Sequence, residues 1–303
     1  MPQNTPAFTS APPAGHPVGD TPDYTPLIRR IKRRRGLVTA LIILATLIPL
    51  LFIGPGELVL LGRTFTLKGL SVGAAVAIIL GGWLAGLILG VIVLFPVGNA
   101  LILEADPAKH LALQEGLFTF TTTAVQKATV RCGSYLLMGN YAEAIRHADI
   151  LTHPQKPAPS AVGLFCKGRA AFLSGDAETL SAATEAFSRI TESMGGSAYP
   201  KQRALLELMT AILQEDRDTA ALLSPAVTAW EATRLPEAQV DYCRARAALL
   251  LMETSAGEER KAHRNEAIHR LLSCKEKGGR SVLTALAEEA LAALPPEAQE
   301  QGD

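Results

Sequence analysis

The sequence predicts an all-α protein in which a two-helix transmembrane hairpin precedes an α-solenoid, a soluble domain of stacked antiparallel helix pairs. Two uncharged apolar stretches, 37–53 and 70–95, predict the hairpin. The rest of the chain is rich in Ala and Leu and is interrupted by short Gly, Pro and Asp turns, which favours helices over sheet. Aromatic residues make up only 5% of the chain, which agrees with a helical core.

The two apolar stretches are interpreted as transmembrane spans. A helix rises about 1.5 Å per residue, so a hydrocarbon core of about 30 Å needs about 20 apolar residues. The first stretch is near the lower limit of length and the second is near the upper limit. A cleaved signal peptide is the alternative for the first stretch. Against it, Pro49 interrupts the apolar run, and no small-x-small cleavage site follows directly.

A cluster of basic residues lies directly before the first span: Arg29, Arg30, Lys32, Arg33, Arg34 and Arg35. Basic residues beside a span stay on the cytoplasmic side, so both termini of an integral membrane protein are predicted in the cytoplasm. Arg63 and Lys68, between the spans, are a weaker signal in the opposite direction. The cluster is interpreted mainly as a topology signal, and binding of anionic membrane lipid is the second interpretation.

Two features of the hairpin concern its packing. The β-prone pieces 58–61 and 64–67 flank Gly62-Arg63, which predicts a small β-hairpin or an extended loop between the spans. Gly82, Gly86 and Gly90 recur every four residues in the second span, so they share one helix face that a second helix can approach closely. We expect the first span to occupy this face, and homo-oligomer formation through it is the second choice.

Four regions follow from these patterns. Residues 1–36 are predicted as a disordered Pro-rich tail that carries the basic cluster, 37–96 as the hairpin, 97–294 as the soluble helical-repeat domain and 295–303 as a second disordered tail. Within the domain the turn signals predict helices over 107–137 with a break near Thr121–Thr123, and over 141–151, 160–173, 177–194, 200–214, 217–232, 236–254, 259–276 and 280–294.

The turn around Gly139 resembles that of a tetratricopeptide repeat. In that family a Gly-x-Tyr-x-x-Ala pattern joins the two helices of a repeat, and here it corresponds to Gly139, Tyr141 and Ala144. A second copy contains Gly168 and Gly175, and Gly175 follows Gly139 by roughly one 34-residue repeat. A third, degenerate copy at 216–220 keeps only the turn and a small residue. The resemblance implies helix pairs that cover one another's apolar faces.

The order of elements resembles the HemY family of bacterial inner-membrane proteins. The matching residues are the Pro-Gly-Glu-Leu-Val-Leu sequence at 55–60 and Thr66-Leu67, which lead into the second span. The resemblance covers residues 37–190 and implies a location in the bacterial inner membrane. That family is associated with late haem biosynthesis without a well-defined catalytic role. An accessory role in haem or porphyrin biosynthesis is therefore the alternative function.

Composition and motifs narrow the function classes. The formal net charge is zero, which argues against nucleic acid as a partner. The six His residues are dispersed, and the four Cys residues form no CxxC pair, so no metal or cofactor site is predicted. No hydrolase, Walker or dinucleotide-binding pattern occurs, so an enzyme is not expected. The sequence predicts a membrane-anchored scaffold or adaptor with an unidentified protein or peptide partner, bound on a concave helical surface.

Overall fold

The structure is a computed structural model of the chain, and it describes residues 22–51, 56–60, 63–67, 71–119, 121–153, 155–195 and 198–294. The chain divides into two compact units, one from Asp23 to Asn99 and one that contains the chain from Ala100 onward. The predicted tail 295–303 and most of the predicted tail 1–36 lie outside the described residues. The two units are described separately below.

The described residues form twelve helices and one two-stranded sheet, which confirms the all-α class, and the sheet lies where a small β-hairpin or extended loop was expected. Their bounds are α1 Thr25–Leu51, β1 Gly56–Leu60, β2 Arg63–Leu67, α2 Val72–Ile102, α3 Pro107–Leu117, α4 Ala124–Leu137, α5 Tyr141–Leu151, α6 Pro157–Ser174, α7 Ala177–Ser193, α8 Pro200–Leu213, α9 Arg217–Leu223, α10 Arg234–Met252, α11 Gly257–Gly278 and α12 Val282–Ala292.

The first unit differs from its predicted bounds at both ends. Helix α1 begins at Thr25, so the basic cluster lies on a helix that runs on into the apolar stretch, and not in a disordered tail. Helix α2 continues through Pro96 to Ile102, beyond the predicted end at residue 95. Between these helices β1 and β2 pair in antiparallel register, with Leu60 opposite Arg63. A two-residue connection therefore joins the strands.

One helix of the described part, α2, is long and apolar enough to cross a membrane. Only 11% of its most apolar 18-residue window is buried. The uncharged part of α1, from Gly36 to Leu51, is shorter than the ~20 residues that a full span needs. The structure therefore supports one candidate span, and the second span stays a prediction.

The second unit repeats one helix–turn–helix connection three times. In each copy the residue before the N-cap has a positive φ, at Gly139 (+79°), Gly175 (+77°) and Glu215 (+56°). The backbone N–H of each N-cap donates to the carbonyl five residues earlier, always at 2.9 Å. Each N-cap side chain then accepts from the third helical N–H, at Asn140, Asp176 and Asp216. The helix pairs α4–α5, α6–α7 and α8–α9 are therefore built alike.

The two ends of the second unit meet. The Arg280 N–H donates to the Ala105 carbonyl at 3.0 Å, and its guanidinium contacts Asp106 at 3.1 Å. Arg234 donates to the Leu103 carbonyl at 2.7 Å. In an open solenoid each repeat contacts only its neighbours. Contacts between residues so far apart in the chain show that this unit is not an open stack.

The inner helices of the second unit are buried on most sides. Of the 18 residues of α6, 12 are buried, and of the 19 residues of α10, 14 are buried. One continuous apolar core joins α4, α6, α8, α10 and α12. The side of these helices that would line a concave groove is therefore largely packed against other helices.

Candidate functional site

The basic cluster lies on the first three turns of α1. Its six side chains are exposed, while Ile31 within the same turn is only 2% exposed. None of the six forms a side-chain hydrogen bond or ion pair with another residue of the described part of the chain. The cluster therefore has a fixed helical arrangement and no carboxylate in direct contact among those residues.

The glycine face of α2 contacts α1 at two of its three positions. A Cβ on Gly82 would lie 2.5 Å from the Ala45 Cβ, and one on Gly86 would overlap the Ile42 side chain. A Cβ on Gly90 would meet nothing within 4 Å. Beside this contact the Trp83 indole N–H donates to the Thr46 hydroxyl at 3.1 Å. Gly82 and Gly86 thus allow close approach of α1, and Gly90 does not take part.

The predicted repeat residues lie around the turns and the core of the second unit. Gly139 and Gly175 supply the positive φ, and Ala144 is fully buried. A Cβ on Gly168 would lie 2.6 Å from Leu206, so this glycine sets the spacing of α6 and α8. The Tyr141 hydroxyl is buried without a hydrogen-bond partner, and burial raises its pKa. These residues therefore build the turns and the core of the second unit.

A buried arginine in α6 is a feature that sequence reasoning missed. The Arg169 side chain lies over the rings of Phe165 and Trp230, with its guanidinium carbon 5.2 Å and 4.9 Å from their centres. Arg169 is only 8% exposed, and its Nε has no hydrogen-bond partner. Desolvation lowers its pKa. The spacing of Phe165 and Arg169, four residues apart on one helix, is the only local signal for this contact.

The four cysteines are buried and free. The Cys132 thiol has a lowered pKa because of a hydrogen bond with Cys166, with a smaller contribution from Arg169. Burial raises the pKa of Cys243, and it raises that of Cys274 to about 12. Among the described residues no group of three His, Cys, Asp or Glu side chains is placed to hold a metal ion.

A cleft between α9, α10 and α11 is the candidate binding site of the second unit. Its volume is about 370 Å³, and its lining is mainly apolar with three basic side chains and one acidic one: Ala221, Ser224, Pro225, Arg244, Ala248, Leu251, His263, Glu266 and Arg270. Leu222, which follows the cleft residue Ala221 on α9, is 74% exposed.

The two arginines of the cleft differ in their partners. Arg270 is paired with Glu266 at 2.7 Å and with Asp241 at 3.2 Å. Arg244 instead donates to the carbonyls of Pro225 and Val227, at 2.9 and 2.8 Å, and its Nε is buried without a partner. The positive charge of Arg244 is therefore not balanced by a carboxylate in direct contact. An acidic group with an apolar neighbour fits this arrangement best.

No protein-family profile, curated protein or solved structure matches this chain.

Proposed function

We propose that the protein is a membrane-anchored helical-repeat adaptor whose second unit binds a partner protein. The observation that carries the proposal is the surface of α2, where large apolar side chains such as Leu84 and Val91 are 61% and 69% exposed. Exposing apolar surface to water costs about 25 cal/mol per Å², so such a helix is stable only where lipid or another apolar surface covers it.

The proposal includes both transmembrane passes, a location in the bacterial inner membrane and cytoplasmic termini. Support for the second pass is the contact of α1 with α2 at Gly82 and Gly86, which pairs the uncharged part of α1 with the candidate span. Support for the orientation is the basic cluster on the same helix. No feature of the described residues favours the haem-pathway alternative, which stays a prediction.

The adaptor role is proposed for the cleft rather than for a concave groove, since α6 and α10 are largely buried. We propose that the partner contributes an acidic side chain next to an apolar one. The acidic group would lie against Arg244, and the apolar group would pack on Leu222 and Leu251. An enzymatic role is not part of the proposal.

Membrane extraction tests the anchor. Membranes that contain the full chain are washed with alkaline carbonate, which removes peripheral proteins and leaves transmembrane proteins in the pellet. We expect the chain to remain in the pellet and to leave it only with detergent. Recovery of the protein in the carbonate supernatant would overturn the anchor.

Site-specific photo-crosslinking tests the cleft. A photoreactive phenylalanine derivative replaces Leu222 beside the cleft or, as the matched control, Ile150 on α5, which is 50% exposed. We expect one discrete crosslinked product from position 222 in native membranes, none from position 150, and loss of the product when Arg244→Gln is added. Equal products from both positions, or none from either, would contradict the adaptor role.

A further inference from the structure

We propose that the basic residues of α1 form a binding site for the phosphate group of anionic phospholipids. The site is called here the basic collar, and it consists of Arg29, Arg30, Lys32, Arg33, Arg34 and Arg35. This inference rests on the proposed membrane anchor and names a ligand for it. Three properties of the collar support this site: its position along the hairpin, its charge balance and the chemistry of its side chains.

The register of the two helices places the collar at the end of the apolar zone. Gly82 lies against Ala45 and Gly86 against Ile42, so α1 and α2 run antiparallel. About 20 residues of α2, counted from Val72, are needed to cross the hydrocarbon core, and they end near Val91. In this register Val91 lies at the level of residues 36–37 of α1. The collar therefore begins where the hydrocarbon ends.

The length of α2 also places the collar at the end of the hydrocarbon core. Its 31 residues span about 46 Å, which exceeds a hydrocarbon core of about 30 Å. The last turns of α2 thus extend past the core beside the collar, and Phe95 there is 59% exposed. In the same register Phe95 lies at the level of Lys32 and Arg33. Cations and an aromatic ring at one depth are typical of the headgroup region.

Asp23 is the one carboxylate close to the collar in the described part of the first unit. The sequence contains no acidic residue between Asp23 and Glu57, and none between Glu57 and Glu104. Residues 92–98 of α2, which face the collar in the antiparallel register, are uncharged. The pKa of Asp23 is lowered mainly by hydrogen bonds to Thr25, and Arg29 contributes least to that shift. One carboxylate cannot balance six cations.

Phosphate oxygens suit these side chains. Five of the six are arginines, whose planar guanidinium donates two parallel hydrogen bonds to a phosphate. The helix places them around every side of α1 except the one that carries the buried Ile31. A bilayer surface presents many phosphates in one plane, and this fits a ring of cations better than a single soluble phosphate does.

Lipid retention by the full chain in a neutral detergent tests the site. The delipidated protein receives dioctanoyl phosphatidylglycerol, dioctanoyl phosphatidylcholine or glycerol phosphate, and native mass spectrometry counts the bound molecules. We expect retention of phosphatidylglycerol over phosphatidylcholine. The double variant R33Q/R34Q should reduce that retention at least about fivefold, since each cation near an anionic surface contributes about that factor.

The matched control is R260Q/K261Q, which removes two exposed cations from α11 of the second unit. We expect this variant to retain phosphatidylglycerol like the wild type. Equal retention of both lipids by the wild type, an equal loss in the two double variants, or displacement of phosphatidylglycerol by glycerol phosphate at the same concentration would each overturn the lipid site.

The anchor and the lipid site fail in different ways. If the chain stays in carbonate-washed membranes and shows no preference for phosphatidylglycerol, the lipid site is wrong and the anchor stands. If carbonate releases the chain, the anchor is wrong and the lipid site is overturned with it.

Discussion

Leucines in the two units of this protein have opposite surroundings. On α2 of the first unit Leu80 and Leu84 are 65% and 61% exposed, whereas on α8 of the second unit Leu205 and Leu208 are fully buried. Both helices are regular, so the difference does not come from local structure. The second unit covers its leucines with its own side chains. The described helices and strands of the first unit leave the leucines of α2 uncovered. The comparison teaches that the first unit needs an apolar environment that the described part of the chain does not supply.

Charged side chains also differ between the two units, in their exposure and in their pairing. The basic collar of α1 is exposed and lacks a carboxylate in contact, while in the second unit Asp241 is 4% exposed and contacts both Arg270 and Lys277. A buried carboxylate must be paired to offset its desolvation. At Asp241 the second unit thus supplies its own counter-ions, whereas none of the described residues of the first unit places a carboxylate in contact with the collar. The experiments below test this contrast, beginning with the largest expected effect.

Shortening one leucine in each unit should give the largest contrast. Leu208→Ala removes a fully buried side chain from α8 and should lower the free energy of unfolding of the second unit by about 3 kcal/mol. Leu84→Ala removes an exposed one and should change that free energy by less than about 0.5 kcal/mol. Each unit contains one of the two tryptophans. In W83F protein, urea titrations in detergent therefore follow the fluorescence of Trp230 in the second unit alone. A similar loss in both variants would remove the contrast.

Adding volume at the glycine face tests whether the first unit has packing of its own. Gly86→Val should clash with Ile42 and lower the stability of the α1–α2 contact by about 1–3 kcal/mol. Gly90→Val meets open space and is the matched control. The measurement is an SDS titration of W230F protein. In that variant the fluorescence of Trp83, whose indole is hydrogen-bonded to Thr46, reports on the α1–α2 contact. Indistinguishable titrations would show that α1 does not pack on this face.

The three repeated turns allow a smaller test within the second unit. Gly175→Ala should cost about 1 kcal/mol through backbone strain alone, because no atom lies within 4 Å of the added Cβ. Gly139→Ala should cost more, since its Cβ would lie 3.1 Å from Val282. Glu215→Gly should stabilise the unit by up to about 1 kcal/mol because it relieves the same strain. Urea titration followed by Trp230 fluorescence would rank the three, and a destabilising Glu215→Gly would contradict the shared turn.

Much of the second unit could be predicted from local sequence. The expected helix 141–151 matches α5, and the ends of α6 and α7 lie within a residue or two of the turn signals at Gly175 and Gly195. The reason is that Gly, Pro and Asp act on the few residues beside them. The third turn was predicted only as a degenerate copy, because Glu215 stands where the first two copies have glycine.

The errors lie where distant residues decide the backbone. The helix expected over 217–232 ends at Leu223, and the carbonyls of Pro225 and Val227 bond to Arg244 of α10 instead of to helical N–H groups. The cleft depends on this bend, so it was missed with it. No local sequence pattern predicts the contact of Ala105 with Arg280 either. Such features depend on packing between helices, which periodicity does not encode.

The smallest expected effect concerns a buried histidine of the second unit. His147 is 5% exposed, stacks on Tyr135 at 5.6 Å and has an unpartnered Nδ1. Burial, followed by the charges of Arg146 and Arg131, lowers the pKa of His147 below its ordinary 6.5, and Glu143 and Glu115 oppose the shift more weakly. The unfolded chain therefore binds a proton at His147 more readily than the folded one does. Its contribution to stability is present above pH 6.5 and decreases as the pH falls below that value.

Comparing urea midpoints at pH 7.5 and pH 5.5 measures this contribution. His147→Phe keeps a ring against Tyr135 and removes the titrating group, so its midpoint should fall less between the two pH values than that of the wild type. His269→Gln changes an exposed histidine on α11 and should leave the wild-type pH dependence unaltered. If His147→Phe retains the full pH dependence, protonation of His147 is not coupled to unfolding. The buried polar groups of the second unit would then be better solvated than its apolar core suggests, and the contrast with the exposed collar of α1 would be weaker.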